Sequence, residues 1–373
     1  DNSNYNYTID NLLSFKRIFH KAHSVNAVIG FSYQHWYHEG SSVTDRAFPS
    51  DALTYYDLST AIFPGATYNF YTDRGLESLL GRVNYSYKSR YLLTLTGRYD
   101  GDTRLAEGHK WDFFPSVGVG WNLKNESFLK DNLKFLDLLK LRASYGVSGN
   151  SNIGVGATKA KYAVDFMVSG GNIVPGYTTA SFDNPNLGWE NTTQYNAGAD
   201  LGFLGDRITL TVDLYRKITT GLLMNLSLPA SSGYGSYATN IGKVTNRGMD
   251  VEASFHVLTG KVQWSLSTNV STFRNEVNNL GPLDVIYGRN YIPAGGILFA
   301  QPLNVAMPGY PISSFIGYKT DGIYQTADEI AKGPEASTAV PGDIRWVDTN
   351  GDGQITDADK TVIGHPQPDF TWG

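Results

Sequence analysis

The residues best suited to chemistry lie near the end of the chain, in Asp348–Asp359 (DTNGDGQITDAD). Asp348, Asn350 and Asp352 occupy positions 1, 3 and 5 of this loop, Gly353 position 6, Gln354 position 7 and Asp359 position 12. This is the spacing of a calcium loop. A hard divalent cation needs several oxygens around one point, and short Asp and Asn side chains alternating on a tight Gly turn supply them. Gln354 would add its backbone carbonyl, and Ile355 an apolar anchor. Two features depart from an EF-hand. Asp359 is shorter than the usual Glu, and Gly342–Val347 before the loop reads as extended rather than helical. The expectation is a structural calcium held by Asp348, Asn350, Asp352, Gln354 and Asp359. The plainer alternative is a polar turn that binds nothing tightly.

Little else in the chain suggests catalysis. There is no cysteine, which removes thiol nucleophiles, disulfides and Cys-ligated zinc. No G-x-S-x-G, H-E-x-x-H or P-loop is present. The 7 histidines are scattered; His35 and His38, either side of Trp36-Tyr37, read as rim residues of a strand end rather than ligands. No catalytic residue and no catalytic cofactor is expected. The net charge of −5 gives no footprint for nucleic acid.

The elements that must carry the loop are strands. In Asp206–Tyr215, Ile208, Leu210, Val212 and Leu214 share one face, and Arg207, Thr209, Thr211, Asp213 and Tyr215 the other. In Val262–Thr272, Val262, Trp264, Leu266 and Val270 oppose Gln263, Ser265, Ser267, Asn269 and Ser271. Such a period of two builds a sheet with one apolar and one polar face. The 24 Tyr, 18 Phe, 7 Trp and 40 Gly suit a membrane barrel, in which only half of each strand faces lipid, and equally a soluble β-sandwich. No run approaches the roughly 20 apolar residues of a membrane helix. The opening DNSNYNYTID is polar and alternating, so no signal peptide is expected within it.

Strands are predicted over Tyr5–Phe19, His23–His38, Glu77–Tyr87, Arg90–Asp100, Phe113–Asn122, Leu138–Val147, Trp189–Leu201, Asp206–Lys217, Arg247–Val257 and Val262–Arg274. A short helix is expected over Asp51–Thr60, and no long strand from Asn275 to Pro368. Connections alternate between short and long, the pattern of an up-and-down outer-membrane barrel with short periplasmic turns and long outer loops. A Greek-key sandwich has no reason to keep that parity. The fold class expected is all-β: a transmembrane antiparallel up-and-down barrel, here a partial set of about ten strands with long extracellular loops. A sheet in lipid must close on itself, so further strands are expected outside Asp1–Gly373. Arg82, Arg98, Lys140 and Arg142 on polar faces read as lumen residues. Tyr87, Tyr91, Tyr99, Trp121 and Trp264 read as interface-belt anchors.

Arg90–Gly101 (RYLLTLTGRYDG), Phe114–Trp121 (FPSVGVGW), Glu126–Leu129 (ESFL) and Leu139–Asn150 (LKLRASYGVSGN) occur in that order. They are followed by Asn184–Glu190 (NPNLGWE), Asp206–Lys217 (DRITLTVDLYRK), Asn240–Gly248 (NIGKVTNRG) and Gly342–Ile363. This ordered set resembles the C-terminal barrel region of the SusC/RagA family of TonB-dependent outer-membrane transporters, typical of Bacteroidota. The resemblance spans about Leu76 to Gly373. It implies a barrel of about twenty-two strands around a plugged lumen. On that basis residues 1–373 are part of one barrel domain, without plug or TonB box, and 275–368 form a long extracellular segment. The resemblance also implies a SusD-like surface lipoprotein and the TonB complex as partners, with oligosaccharide or peptide cargo. Loop aromatics (Trp36, Tyr37, Tyr55, Tyr56, Tyr68, Phe70, Tyr71, Tyr234 and Tyr237) could stack on sugars or pack on one another. The alternatives are a passive porin or adhesion barrel, and a secreted soluble carbohydrate-active β-protein.

Overall fold

The computed structural model describes residues 2–373 apart from 51, 53–56, 64, 66, 131, 132, 134, 289, 292–300 and 336–338. Tyr55, Tyr56 and part of the helix predicted over Asp51–Thr60 thus lie outside the described residues. The described end of that helix is a 3-10 turn, Leu58–Thr60, capped by the Asp57 side chain.

One sheet takes its long strands in sequence order: β1 (Asn2–Phe19), β2 (His23–Val43), β3 (Thr67–Tyr87), β4 (Tyr91–Asp102), β5 (Trp111–Asn122) and β6 (Leu136–Asn150). A side hairpin follows, β7 (Lys161–Ser169) and β8 (Asn172–Ser181). The order resumes with β9 (Glu190–Phe203), β10 (Ile208–Ser227), β11 (Ser236–Thr259) and β12 (Gln263–Asn279). Short strands come after: β13 (Ile286–Tyr287), β14 (Asn290–Tyr291), β15 (Gln301–Pro302), β16 (Asn304–Ala306), β17 (Ser314–Gly317), β18 (Thr320–Ile323), β19 (Ile344–Trp346) and β20 (Thr361–Gly364). Last is β21 (Phe370–Trp372), which pairs with β12. The chain forms two compact units. One comprises Asp1–Asn122, Ser144–Asn191 and Gly221–Asn240; the other comprises Leu123–Ala143, Thr192–Thr220 and Ile241–Gly373.

In the first unit the antiparallel ladders align the apolar positions in rows. Ala27, Val83, Leu95 and Val117 stand abreast on four strands, as do Phe31, Leu79, Tyr99 and Phe113. Leu79, Val83, Leu95, Tyr99 and Phe113 are all exposed, whereas Ser32, Ser78 and Asp100 on the other face are buried. Aromatics mark both margins of this band. Tyr87, Tyr91 and Trp121 stack in a row near the short turns, and Tyr99 stacks on Trp111 toward the long loops. From Tyr91 to Tyr99 the strand runs ~26 Å at ~3.3 Å per residue, which a tilt of ~40° reduces to ~20 Å of height, within the ~25 Å apolar band of a barrel wall. The tight turns use the left-handed region without glycine. Lys88 and Ser89 have φ of 50° and 54°, and the Arg90 amide donates to the Tyr87 carbonyl at 2.9 Å. That twist matches the flanking strands.

The second unit repeats the inversion. Trp264, Leu266 and Val270 on β12 are exposed, while Asn275 is buried and bonded to Asn246 across the ladder. Its apolar core belongs instead to the loop segment, where Val277, Val305, Tyr324 and Ile330 are buried.

Strand existence follows the prediction, but several strands run longer. β10 and β11 continue to Ser227 and start at Ser236, through most of the predicted 218–246 loop, and β2 and β3 extend to Val43 and from Thr67. The β10 and β11 extensions carry no clean apolar–polar alternation in sequence, so the period of two does not mark them. The β7–β8 hairpin inside the predicted 148–188 loop did carry a signal. Tyr162, Val164, Phe166 and Val168 alternate before Gly170-Gly171, both at positive φ.

Candidate functional site

The Asp348–Asp359 loop is entered from β19, extended as expected, and closed by a 3-10 turn, Asp357–Asp359, capped by Thr356. Gly351 (φ 76°) and Gly353 (φ 84°) make the reversal, which a side chain would strain. The Asp348 carboxylate accepts from the amides of Gly351 at 2.6 Å and Gly353 at 2.7 Å. Asn350 Oδ1 accepts from the Asp352 amide at 2.8 Å, and Asp352 Oδ1 from the Gln354 amide at 2.9 Å. Asp359 is fully buried: one oxygen takes the Thr349 amide at 2.9 Å, the other the Thr356 amide at 2.8 Å. The Thr356 amide first, then those of Thr349 and Asn350, hold this carboxyl below its ordinary value against the opposing effect of burial. The predicted residues lie in one loop, with side-chain oxygens of Asp348, Asn350, Asp352 and Asp359 turned to the loop's own amides and Gln354 contributing one of those amides. Among the described residues, no three Asp, Glu or His side chains form a metal-holding group.

A second acidic centre went unnoticed in the sequence. Asp102 ends β4, three residues past the Tyr99 margin of the apolar band, and its carboxylate has no exposure. It accepts from Arg74 Nη2 at 3.0 Å, Arg104 Nη2 at 2.9 Å and Ser151 Oγ at 2.8 Å. Burial pushes its pKa up, and the bonds from Arg104 and Ser151 outweigh this and bring it below the ordinary carboxylate value. Arg74 also lies over the Trp36 ring at 4.2 Å. Beside it, Leu105, Ala106 and Leu187 form a small buried apolar cluster, and the Trp189 indole donates to the Lys110 carbonyl at 2.8 Å. Asn240 ties this knot to β10, its amide donating to the carbonyls of Gly188 and Gly221, both at 3.0 Å. The NPNLGWE and NIGKVTNRG segments therefore meet here, as sheet-end staples.

The predicted lumen charges pair internally. Arg142 bridges Asp200 and Asp213 at 2.9 Å each, and Lys140 reaches Asp200 at 3.4 Å. Arg98 holds Asp100 at 2.7 Å and donates to Ser78 at 2.9 Å, while Arg82 reaches Thr96 at 3.4 Å. His35 pairs with Asp73 at 3.0 Å. The loop aromatics pack on one another: Tyr37 on Tyr71, Tyr68 on Phe70, and Tyr234 on Phe182.

Neighbouring strands in sequence order, apolar side chains outward, polar ones inward, and tight turns at one end define the wall of an outer-membrane β-barrel. Among the described residues no second protein layer covers the exposed apolar residues named above, unlike the two-layer core of a sandwich. The chain belongs to the TonB-dependent receptor-like β-barrel family, whose model matches residues 1–371, and it resides in the outer membrane. Within the family its likeness is to SusC/RagA-type proteins. It is 33% identical over 370 residues to TonB-dependent receptor P3 of Formosa agariphila, covering 98% of this chain and 36% of that protein. It is 35% identical over 312 residues to TonB-dependent receptor SusC of Bacteroides thetaiotaomicron, covering 81% of this chain and 29% of that protein. The fold matches the RagAB peptide transporter at a TM-score of 0.81 and 23% identity, covering 100% of this chain and 39% of the solved one. The chain thus spans between 29% and 39% of these relatives' length.

Proposed function

We propose that this chain supplies barrel wall to an active nutrient importer that performs no bond chemistry of its own. Cargo binds among the outer loops under a SusD-like surface lipoprotein. TonB then acts on the part of the protein outside this chain to open the lumen. Oligosaccharides are the first cargo class. Peptides are the second, because the similar fold of RagAB belongs to a peptide transporter. The observation that carries the reading is the inverted side-chain distribution: exposed Leu79, Val83 and Leu95 against buried Ser32, Ser78 and Asp100. It requires lipid outside and a polar lumen inside.

Calcium in the Asp348–Asp359 loop belongs to the same proposal. The donors are hard oxygens on short side chains, the chemistry such a cation takes. Its role is to stiffen the outer segment, and Asp348, Asn350, Asp352, Gln354 and Asp359 are the residues that would hold it. Calcium added to chelator-treated full-length protein slows proteolysis within 342–364; no change removes the assignment.

The test of the importer is a mild-detergent pull-down of the full-length protein from outer membranes, with mass spectrometry of what co-purifies. A stoichiometric surface lipoprotein is the expected result. A full-length protein that fractionates with the outer membrane and brings none points to a stand-alone receptor or passive channel.

A further inference from the structure

Arginines stand abreast on three neighbouring strands of the second unit. Arg247 on β11 lies directly opposite Arg274 on β12. The amide of His256 donates to the carbonyl of Arg207, which fixes the β10–β11 register there. Carried nine residues along each antiparallel strand (207 to 216, 256 to 247), that register brings Arg216 level with Arg247. The Tyr215 hydroxyl, packed against Gly248, agrees with it.

All three arginines are on the lipid side. On β12 the even positions Trp264, Leu266 and Val270 are outward, and Arg274 continues the row; Asn275, bonded to Asn246, points inward. On β10, Leu214 is exposed and Arg216 follows it on the same face. From Trp264 near the short turn to Arg274 the strand climbs ~33 Å at ~3.3 Å per residue. A tilt of ~40° reduces this to ~25 Å, the height of the apolar band. The row therefore sits where hydrocarbon gives way to headgroups on the long-loop side.

Like charges directly opposite one another destabilise a sheet. Yet among the described residues none of the three guanidiniums makes an ion pair or hydrogen bond, and all three line a cavity of about 480 Å³. Of the carboxylates lining it, Glu276 lies outward and accepts from Asn278 at 3.3 Å. Asp369 alternates inward, because Phe370 and Trp372 pair with the outward Thr272 and Val270. Three fixed positive charges face one outward carboxylate.

We propose that Arg216, Arg247 and Arg274 bind the phosphate of an outer-leaflet lipid headgroup, with its acyl chains lying along the apolar row below. Guanidinium forks suit phosphate oxygens, and the headgroup boundary places such a phosphate at this height. The inference rests on the outer-membrane setting and on no transport activity.

The test uses the full-length protein in dodecyl maltoside. Its thermal midpoint is measured with lipid A in mixed micelles, with the same lipid A stripped of phosphate, and with inorganic phosphate alone. The expected result is a larger upward shift with intact lipid A than with either control. The triple variant R216Q/R247Q/R274Q loses that excess, and the triple Lys variant retains part of it. Equal shifts from intact and stripped lipid, or an excess that survives in the Gln variant, overturn the proposal. An equal shift from inorganic phosphate assigns the site to a free anion and overturns the lipid. If the triple Gln variant yields no heat-modifiable barrel, Arg247→Gln alone is measured: a reduced excess supports the site, and an unchanged one overturns it.

Discussion

Asp102 and Asp359 are both carboxylates without solvent exposure, and the protein accommodates them in opposite ways. Asp102 is matched by charge: two guanidiniums and a serine hydroxyl reach it from β3, from the residues just after β4 and from the end of β6. Asp359 is matched by dipoles, the backbone amides of Thr349, Asn350 and Thr356 within its own loop. A charge-matched site couples distant strands and here leaves the buried Arg104 behind when it fails. A dipole-matched site fails locally.

The largest effect expected is from Asp102→Ala. It strands Arg104, whose side chain is 8% exposed, so that breaking the pair costs about 3–5 kcal/mol. A lowered thermal midpoint of the full-length protein in detergent reads this. A midpoint unchanged by the substitution removes the distinction between the two sites.

Asp359→Ala comes next. It removes the acceptor for three loop amides. The expected outcome is faster proteolysis and hydrogen exchange confined to 342–364, with the global midpoint unmoved. A global loss would show that this loop, too, is coupled to the sheet.

Acid sharpens the contrast. Both carboxyls have folded-state pKa values below their unfolded ones. Each contribution is therefore complete above the unfolded value, about 3.9, and is lost as pH falls through the folded one. Below about pH 4 the wild type should lose global stability and converge on the Asp102→Ala variant, whereas loop protection should decay separately. Coincident transitions in both probes would merge the two sites.

The smallest effect is expected at the Lys110–Glu107 pair close by in sequence, at 3.0 Å with Glu107 94% exposed. Lys110→Ala should change stability by less than about 1 kcal/mol, because water already screens the pair. A cost approaching that of Asp102→Ala would place the outer strand ends, rather than burial, at the origin of the effect.

The strands were legible wherever lipid faced one side and the lumen the other. Leu79, Val83, Leu95 and Val117 announce themselves by alternation, because each residue has only one allowed environment. The extensions of β10 and β11 were not legible, since no apolar–polar alternation runs through them. The calcium-type loop was legible as a turn because its partners lie within twelve residues. Asp102 was not: Arg74 and Ser151 are far from it in sequence, and only the β3–β4 register and the return of the chain at Ser151 bring them within bonding distance.

By itself, then, the sequence determined the period of two, the parity of the turns and the local Asx geometry of Asp348–Asp359. All of these arise from residues that are neighbours along the chain. The tertiary structure decided which distant charges neutralise one another, and which stand abreast without a partner among the described residues. Arg142 met Asp200 and Asp213, whereas Arg216, Arg247 and Arg274 met each other. Ladder register sets those distances, and a shift of one residue would turn every side chain to the other face.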